Sequence, residues 1–199
     1  CGIAGIRANL SKEKCLAIVE KMNSCLEHRG PDDEGVFAED GFAFAMRRLS
    51  IIDLSGGHQP MWDEQNSLGV VLNGEIYNYR ALRERLGQTM GCFATASDTE
   101  VVLKSLKQED LEAVHRWNGM FAVAAWDRRQ KRLLLIRDRM GVKPLYYFWD
   151  GETFLFASEI KALLASGLVD RRINRQSLWD YLTYRYVPGP NTIWEGIRK

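Results

Sequence analysis

Cys1 places a thiol and an α-amine on the same residue. Their ordinary pKa values are about 8.5 for the thiol and roughly 7.7–8.0 for the amine. The amine is therefore a base poised near neutrality, a few bonds from a nucleophile. Such a pair can activate the nucleophile without a histidine, as in enzymes with an N-terminal threonine. Position alone favours a plainer reading, a residue exposed by loss of a methionine or by a cut. Other residues have to decide.

Asn73-Gly74 follows an apolar run. An Asn carboxamide beside a Gly N–H supplies two donors to one point, the requirement for holding an oxyanion. Taken alone, Asn-Gly is a turn signal, but the Glu75 that follows opens Glu-Ile-Tyr-Asn-Tyr, which is not turn chemistry. Asp98 sits at the start of a helical pattern, where a carboxylate suits the helix dipole or serves a binding role. Arg47 and Arg48 stand among apolar residues. An arginine there either clamps a ligand carboxylate in a two-toothed fork or pairs with an internal acid. The three histidines are His28, His58 and His115, and none is placed as an evident base. Ser55-Gly56-Gly57-His58-Gln59 begins like a phosphate loop but lacks the Asp-Ser that should follow, so it reads as a plain loop.

The elements that must position these groups are short. Gly2 to Ile6 reads as a strand. Ser11 opens a helix with Cys15, Ile18, Val19, Met22, Cys25 and Leu26 on one face, and the pattern stops near Gly30-Pro31. Strands are predicted at 35–38, 42–49 and 68–72, the last broken by Asn73-Gly74, and a helix over 79–86. Ser97-Asp98-Thr99-Glu100 carries a helix cap with Glu100 placed to complete a capping box. Apolar runs at 121–126 and 133–136 fit strands covered on both faces. Strands at 145–149 and 153–157, then a helix over 159–164, complete the pattern. Hairpins interleaved with helices point to stacked sheets with helices outside. The tail 166–199 holds one helical stretch around 178–182 and then Pro188-Gly189-Pro190. Its abrupt end predicts either a chain cut short or a lead into a further domain.

Composition narrows the class. Lys+Arg (27) and Asp+Glu (26) nearly cancel over 199 residues, which argues against a nucleic-acid groove or a membrane-surface patch. No apolar run approaches the roughly 20 residues of a membrane span. The four cysteines, Cys1, Cys15, Cys25 and Cys92, form no CxxC pair and no zinc-ligand spacing. On one helix, Cys15 and Cys25 would lie about 15 Å apart, too far for a disulfide. A reduced, cytoplasmic, metal-free protein is expected.

The ordered set of motifs resembles the glutaminase domain of class II glutamine amidotransferases, in the asparagine synthetase branch. The residues that carry it are Cys1-Gly2-Ile3-Ala4-Gly5, His28-Arg29-Gly30-Pro31-Asp32 and Arg48-Leu49-Ser50-Ile51-Ile52-Asp53. They continue with Gln59-Pro60-Met61, Asn73-Gly74-Glu75-Ile76-Tyr77-Asn78 and Ser97-Asp98-Thr99-Glu100. Asn118-Gly119-Met120-Phe121-Ala122, the run from Arg137 to Tyr147, and Ala157-Ser158-Glu159-Ile160-Lys161-Ala162-Leu163 close the series. Arg48-Leu49-Ser50 replaces the Thr-Arg-Trp-Ala-Thr segment of the glucosamine-phosphate synthase and phosphoribosyl amidotransferase relatives. Leu72, not His, precedes the Asn-Gly.

The resemblance implies an α+β fold, the N-terminal nucleophile αββα sandwich of two antiparallel sheets flanked by helices. It implies a glutaminase domain over 1–165 and a lead-in over 166–199 to a synthetase domain outside this chain. The implied reaction is hydrolysis of L-glutamine through a Cys1 thioester, with Cys1, Asn73 and Gly74 catalytic. Arg48 would hold the substrate carboxylate and Asp98 the ammonium, with Glu75 in support and Ile51 and Ile52 adding backbone contacts. The Arg-Leu-Ser register favours Arg48 over Arg47, an assignment that fails if strand alternation reverses their faces. No cofactor is implied in this domain, with ATP and Mg reserved for the synthetase domain. Partners are the synthetase domain of the same full-length chain, not nucleic acid or membrane, and homo-oligomer formation is left open. Two rivals stand beside this reading: another N-terminal nucleophile amide hydrolase (an acylase or peptidase), and a non-catalytic relic that supports a synthetase.

Overall fold

The computed structural model describes residues 1–49 and 56–199. In chain order the strands are β1 (Gly2–Arg7), β2 (Asp33–Glu39), β3 (Phe42–Arg48), β4 (Met61–Trp62), β5 (Leu68–Ile76), β6 (Gly119–Asp127), β7 (Arg132–Arg137), β8 (Tyr146–Trp149), β9 (Phe154–Ala157) and β10 (Ile197–Arg198). The helices are α1 (Lys12–Ser24), α2 (Tyr79–Met90), α3 (Asp98–Glu109), α4 (Ile160–Ala165) and α5 (Arg175–Tyr184). Among the described residues, one sheet has the order β10-β8-β9-β1-β3-β2 and the other β4-β5-β6-β7. The α+β class with two antiparallel sheets and flanking helices is as the sequence predicts.

The chain divides into two compact units. The first comprises Cys1, Arg29–Gly35 and Met46–Lys143, and the second Gly2–His28, Val36–Ala45 and Pro144–Lys199. The first unit holds the four-stranded sheet with α2 and α3. Its core joins Val70, Leu72 and Ile76 of β5 to Leu82 and Leu86 of α2 and to Val101, Val102 and Leu106 of α3. Removing such side chains from water is its main source of stability. β6 lies between β5 and β7, and its residues from Phe121 to Trp126 are buried on both faces, which explains their unbroken apolar run. The second unit packs Cys15, Val19 and Met22 of α1 against Ala4 and Ile6 of β1 and Leu155 and Ala157 of β9. There β1 is pinned by its register with β9, Ala4 opposite Ala157. Ile3 N–H donates to the wholly buried Ser158 Oγ at 2.9 Å, and Ser158 N–H donates to Ile3 O at 2.9 Å.

Three local expectations change. The first helix ends at Ser24, and a 3₁₀ turn over Glu27–Arg29 covers the rest of the pattern. Asn73-Gly74 does not break β5. The strand runs through it, with Asn73 opposite Ala122 and Gly74 opposite Phe121. A full ladder with β6 overrides the local turn preference. Glu100 completes no capping box with Ser97. It reaches back to Ala94 N–H (2.9 Å) and Thr95 N–H (2.7 Å), tying down the loop before the helix. Ser97 does cap α3, accepting from Thr99 N–H at 3.1 Å. Residues 166–199 supply α5 and the edge strand β10, which pairs with β8. Among the described residues, no helix is long and apolar enough to cross a membrane.

Candidate active site

A cavity of about 130 Å³ in the first unit is lined by Cys1, Arg48, Leu49, Gln59, Leu72, Asn73, Gly74, Glu75, Ser97, Asp98, Thr99, Met120 and Lys143. It thus gathers Cys1, Arg48, Asn73, Gly74, Glu75 and Asp98, which the sequence distributes over almost a hundred positions. Ile51 and Ile52 lie outside the described residues. Cavities of about this volume hold small molecules.

Cys1 is held by two backbone segments. Its α-amine donates to Arg29 O at 2.6 Å, and Arg29 Nε donates to Cys1 O at 2.8 Å. Its sulfur lies 3.4 Å from the Leu49 N–H that donates to it and 3.6 Å from the Leu49 carbonyl to which the thiol donates. Burial, and then the positive charges of Arg29 and Lys143, pull the amine pKa down from 8.0 to about 6, against an opposing pull from Asp32. Each cause disfavours the ammonium form except Asp32. The amine is therefore largely a free base at neutral pH. Among the described residues, no histidine lines the cavity. His28 instead faces Glu159 at 2.9 Å in the second unit, and His58 faces Asp33 at 2.9 Å.

Arg48 ends β3. It is 6% exposed and lines the cavity. Its neighbour Arg47 instead pairs with Glu34 at 2.7 Å. Strand alternation therefore sends Arg48, not Arg47, to the site. Gly30 secures this strand end. A Cβ there would come within 2.5 Å of Arg47 C and Arg48 N, so only glycine allows the approach. Asp32 N–H donates to Arg48 O at 3.2 Å.

Asn73 is buried on β5. Gly74 has φ +147°, and a Cβ there would sit 2.0 Å from Met120 O. Both the backbone conformation and the close approach to β6 demand glycine. Asn73 and Glu75, two residues apart, share one face of the strand. Asp98 opens α3, and its Oδ2 accepts from Ile76 N–H at 3.0 Å, so the end of β5 is stitched to the start of α3. Burial raises the Asp98 pKa, and the nearby Glu75 carboxylate adds to the rise. The hydrogen bond from Ile76 opposes it. Among the described residues, no ion pair neutralises Asp98. A buried carboxylate beside a second carboxylate is a site made for a cation.

Sequence reasoning gave no role to three contributors. Arg29 belongs to a recognised motif, but its grip on Cys1 pairs its carbonyl and its Nε with main-chain atoms of Cys1, and main-chain partners carry no sequence signal. Lys143 lines the cavity from a loop ordered by Asp138, which accepts from Phe121, Val142 and Lys143 N–H at 3.2, 2.9 and 3.0 Å. Gln59 is buried at the cavity wall. Its Gln-Pro-Met setting marked it as part of a motif and nothing more.

Comparison with known proteins shows the family and the fold. The glutamine amidotransferase domain family matches residues 1–199. The putative asparagine synthetase (glutamine-hydrolyzing) 2 of Methanocaldococcus jannaschii is 36% identical, covering 100% of this chain and 42% of its own length. Asparagine synthetase (glutamine-hydrolyzing) 1 of Bacillus subtilis is 39% identical, covering 92% of this chain and 29% of its own. The chain thus spans less than half the length of these relatives. The glutamine phosphoribosylpyrophosphate amidotransferase of B. subtilis, solved with ADP and GMP, shares the fold at a TM-score of 0.72 and 20% identity, over 86% of this chain and 45% of that one. With a match that runs from the nucleophile candidate to the last residue, the chain belongs to the glutamine amidotransferase domain family.

Proposed function

We propose that this chain is the glutaminase part of an asparagine-synthetase-like enzyme, hydrolysing L-glutamine to glutamate and ammonia. One observation carries the reading. A single cavity joins a nucleophile with its own base (Cys1), oxyanion donors (Asn73, Gly74), a cation for a carboxylate (Arg48) and a buried carboxylate for an ammonium (Asp98). Opposite charges in one cavity suit the α-carboxylate and α-ammonium of a free amino acid, groups that amide bonds neutralise within a peptide. This favours glutamine over the substrates of an acylase or peptidase.

The Cys1 thiol gives its proton to the α-amine, and the sulfur forms a bond to the glutamine side-chain carbonyl carbon. Asn73 Nδ2 and Gly74 N–H hold the resulting oxyanion. The C–N bond breaks as the ammonium returns its proton to the departing nitrogen, leaving a γ-glutamyl thioester and ammonia. Water then attacks the thioester, the amine takes its proton, and glutamate leaves as the C–S bond breaks. Arg48 holds the substrate carboxylate. Asp98, with Glu75 beside it, holds the substrate ammonium.

In this reading residues 166–199 lead from the glutaminase domain to a synthetase domain of a longer protein. Ammonia passes to that domain, which uses ATP and Mg. The glutaminase reaction itself needs no cofactor. The four free cysteines suit a reducing compartment, the cytoplasm.

A glutamine-like electrophile tests the reading. It should label Cys1 once and block ammonia release in proportion to labelling. Cleavage of an N-acyl amide or peptide without ammonia release from glutamine would replace it with the acylase reading. A chain with a free Cys1 that cleaves neither would be a non-catalytic support.

A further inference from the structure

Gln59 joins two parts of the site through one side chain. Its Oε1 accepts from Leu72 N–H at 2.6 Å, and its Nε2 donates to Thr99 Oγ1 at 3.0 Å. Gln59 is 5% exposed, Leu72 2% and Thr99 1%. Leu72 directly precedes Asn73-Gly74 on β5, and Thr99 directly follows Asp98 in the first turn of α3.

The register explains the choice of side chain. β4 pairs Met61 with Val70 and Trp62 with Gly69. Carried two residues further, the same register sets Gln59 opposite Leu72, but β4 begins only at Met61. Pro60 between them has no N–H to donate. Leu72 N–H therefore reaches the edge of the sheet inside the protein, where an unpaired donor is costly. The Gln59 carboxamide oxygen stands in for the missing backbone carbonyl. Its other end, a donor, is then directed to the helix that carries Asp98.

We propose that Gln59 is a positioning residue that fixes the oxyanion donors at Asn73-Gly74 and the ammonium-binding Asp98 in one geometry. The proposal rests on the glutaminase reading for the roles of those residues. Gln59 touches no reacting atom in this scheme. It acts through Leu72 and Thr99.

Thr99→Val cuts only the link to α3, and Thr99→Ser keeps it. Thr99→Val should raise KM for glutamine about tenfold with kcat within about twofold, the scale of one lost buried hydrogen bond, and Thr99→Ser should restore it. Gln59→Leu should lower kcat about tenfold and also raise KM, while alkylation of Cys1 by iodoacetamide keeps the wild-type rate. A Thr99→Val enzyme with wild-type KM overturns the proposal, as does a Gln59→Leu enzyme with wild-type kcat and KM. If Gln59→Leu does not fold, the two Thr99 variants decide alone. Amide exchange separates this proposal from the reading beneath it. Gln59→Leu, or Thr99→Val in its place, should speed exchange in the first turn of α3, and Gln59→Leu also at Leu72. Unchanged exchange at α3 overturns the coupling, whereas a wild-type chain without glutaminase activity overturns only the glutaminase reading.

Discussion

Cys1 and Arg29 grip each other twice: the Cys1 α-amine donates to the Arg29 backbone carbonyl at 2.6 Å, and the Arg29 side-chain Nε donates to Cys1 O at 2.8 Å. One bond aims the base and the other fixes the residue that carries the thiol. Burial, and after it the positive charges of this guanidinium and of Lys143, lower the amine pKa to about 6. Arg29 therefore contributes to both the position and the basicity of the amine.

The pH profile follows from that value. Only the neutral amine can accept the thiol proton, so kcat/KM for glutamine should fall tenfold per pH unit below an apparent pKa of about 6. Above it, activity should already be on a plateau at neutral pH. An acid limb centred near the ordinary α-amine value of about 8 would show that the amine is not perturbed in the free enzyme.

Arg29→Met should move that limb upward. The variant removes a positive charge that disfavours the ammonium and loosens the hold on Cys1 O. The acid limb should shift to higher pH, and kcat at neutral pH should drop. A limb that stays at its wild-type position would assign the low pKa to burial and Lys143.

Asn73→Ala should lower kcat about 10²–10³-fold with little change in KM, the loss expected for one oxyanion donor. Gly74→Ala is a different kind of change. A Cβ 2.0 Å from Met120 O forces β5 and β6 apart, and destabilisation on the order of 1–3 kcal/mol should lower the denaturation midpoint. Asn73→Ala should leave that midpoint closer to wild type.

Asp98→Asn should separate binding from stability. Its pKa is raised by burial, so the native state binds more protons than the unfolded chain between the ordinary carboxylate value and the raised one. Stability consequently falls as pH rises through that window, and the ionised form is a burden at neutral pH. Asparagine retains an oxygen for Ile76 N–H without the charge. Asp98→Asn should match or exceed wild-type stability at neutral pH while KM for glutamine rises at least tenfold, the trade-off expected of a site strained for function. Arg48→Ala should raise KM similarly, whereas Arg47→Ala, which loses a partly buried pair with Glu34 and does not line the cavity, should change KM less than threefold.

The residue types at the site were legible in the sequence because each carries its chemistry in its side chain. Cys1, Arg48, Asn73 and Asp98 stood out from motif order before any contact was known. The relations between them were not legible. Asn73-Gly74 has the local signature of a turn, and only the ladder with β6 makes it a strand. The phase of Arg47 against Arg48 depends on where β3 meets its neighbours, and Glu34 settles it by taking Arg47. Glu100 had the spacing of a capping box, but the loop at Ala94 and Thr95 offered it closer donors. Gln59 stayed hidden because its partners, Leu72 N–H and Thr99 Oγ1, are brought to it by a sheet edge and a helix start that lie far apart in sequence.

The most direct test is ammonia release from L-glutamine by two forms of the chain, one beginning at Cys1 and one with a single residue before it. The added residue turns the α-amine into a peptide nitrogen that cannot act as a base, but leaves the thiol. The account predicts steady ammonia release from the first form and none above background from the second. Equal release from both would contradict a mechanism in which Cys1 supplies its own base.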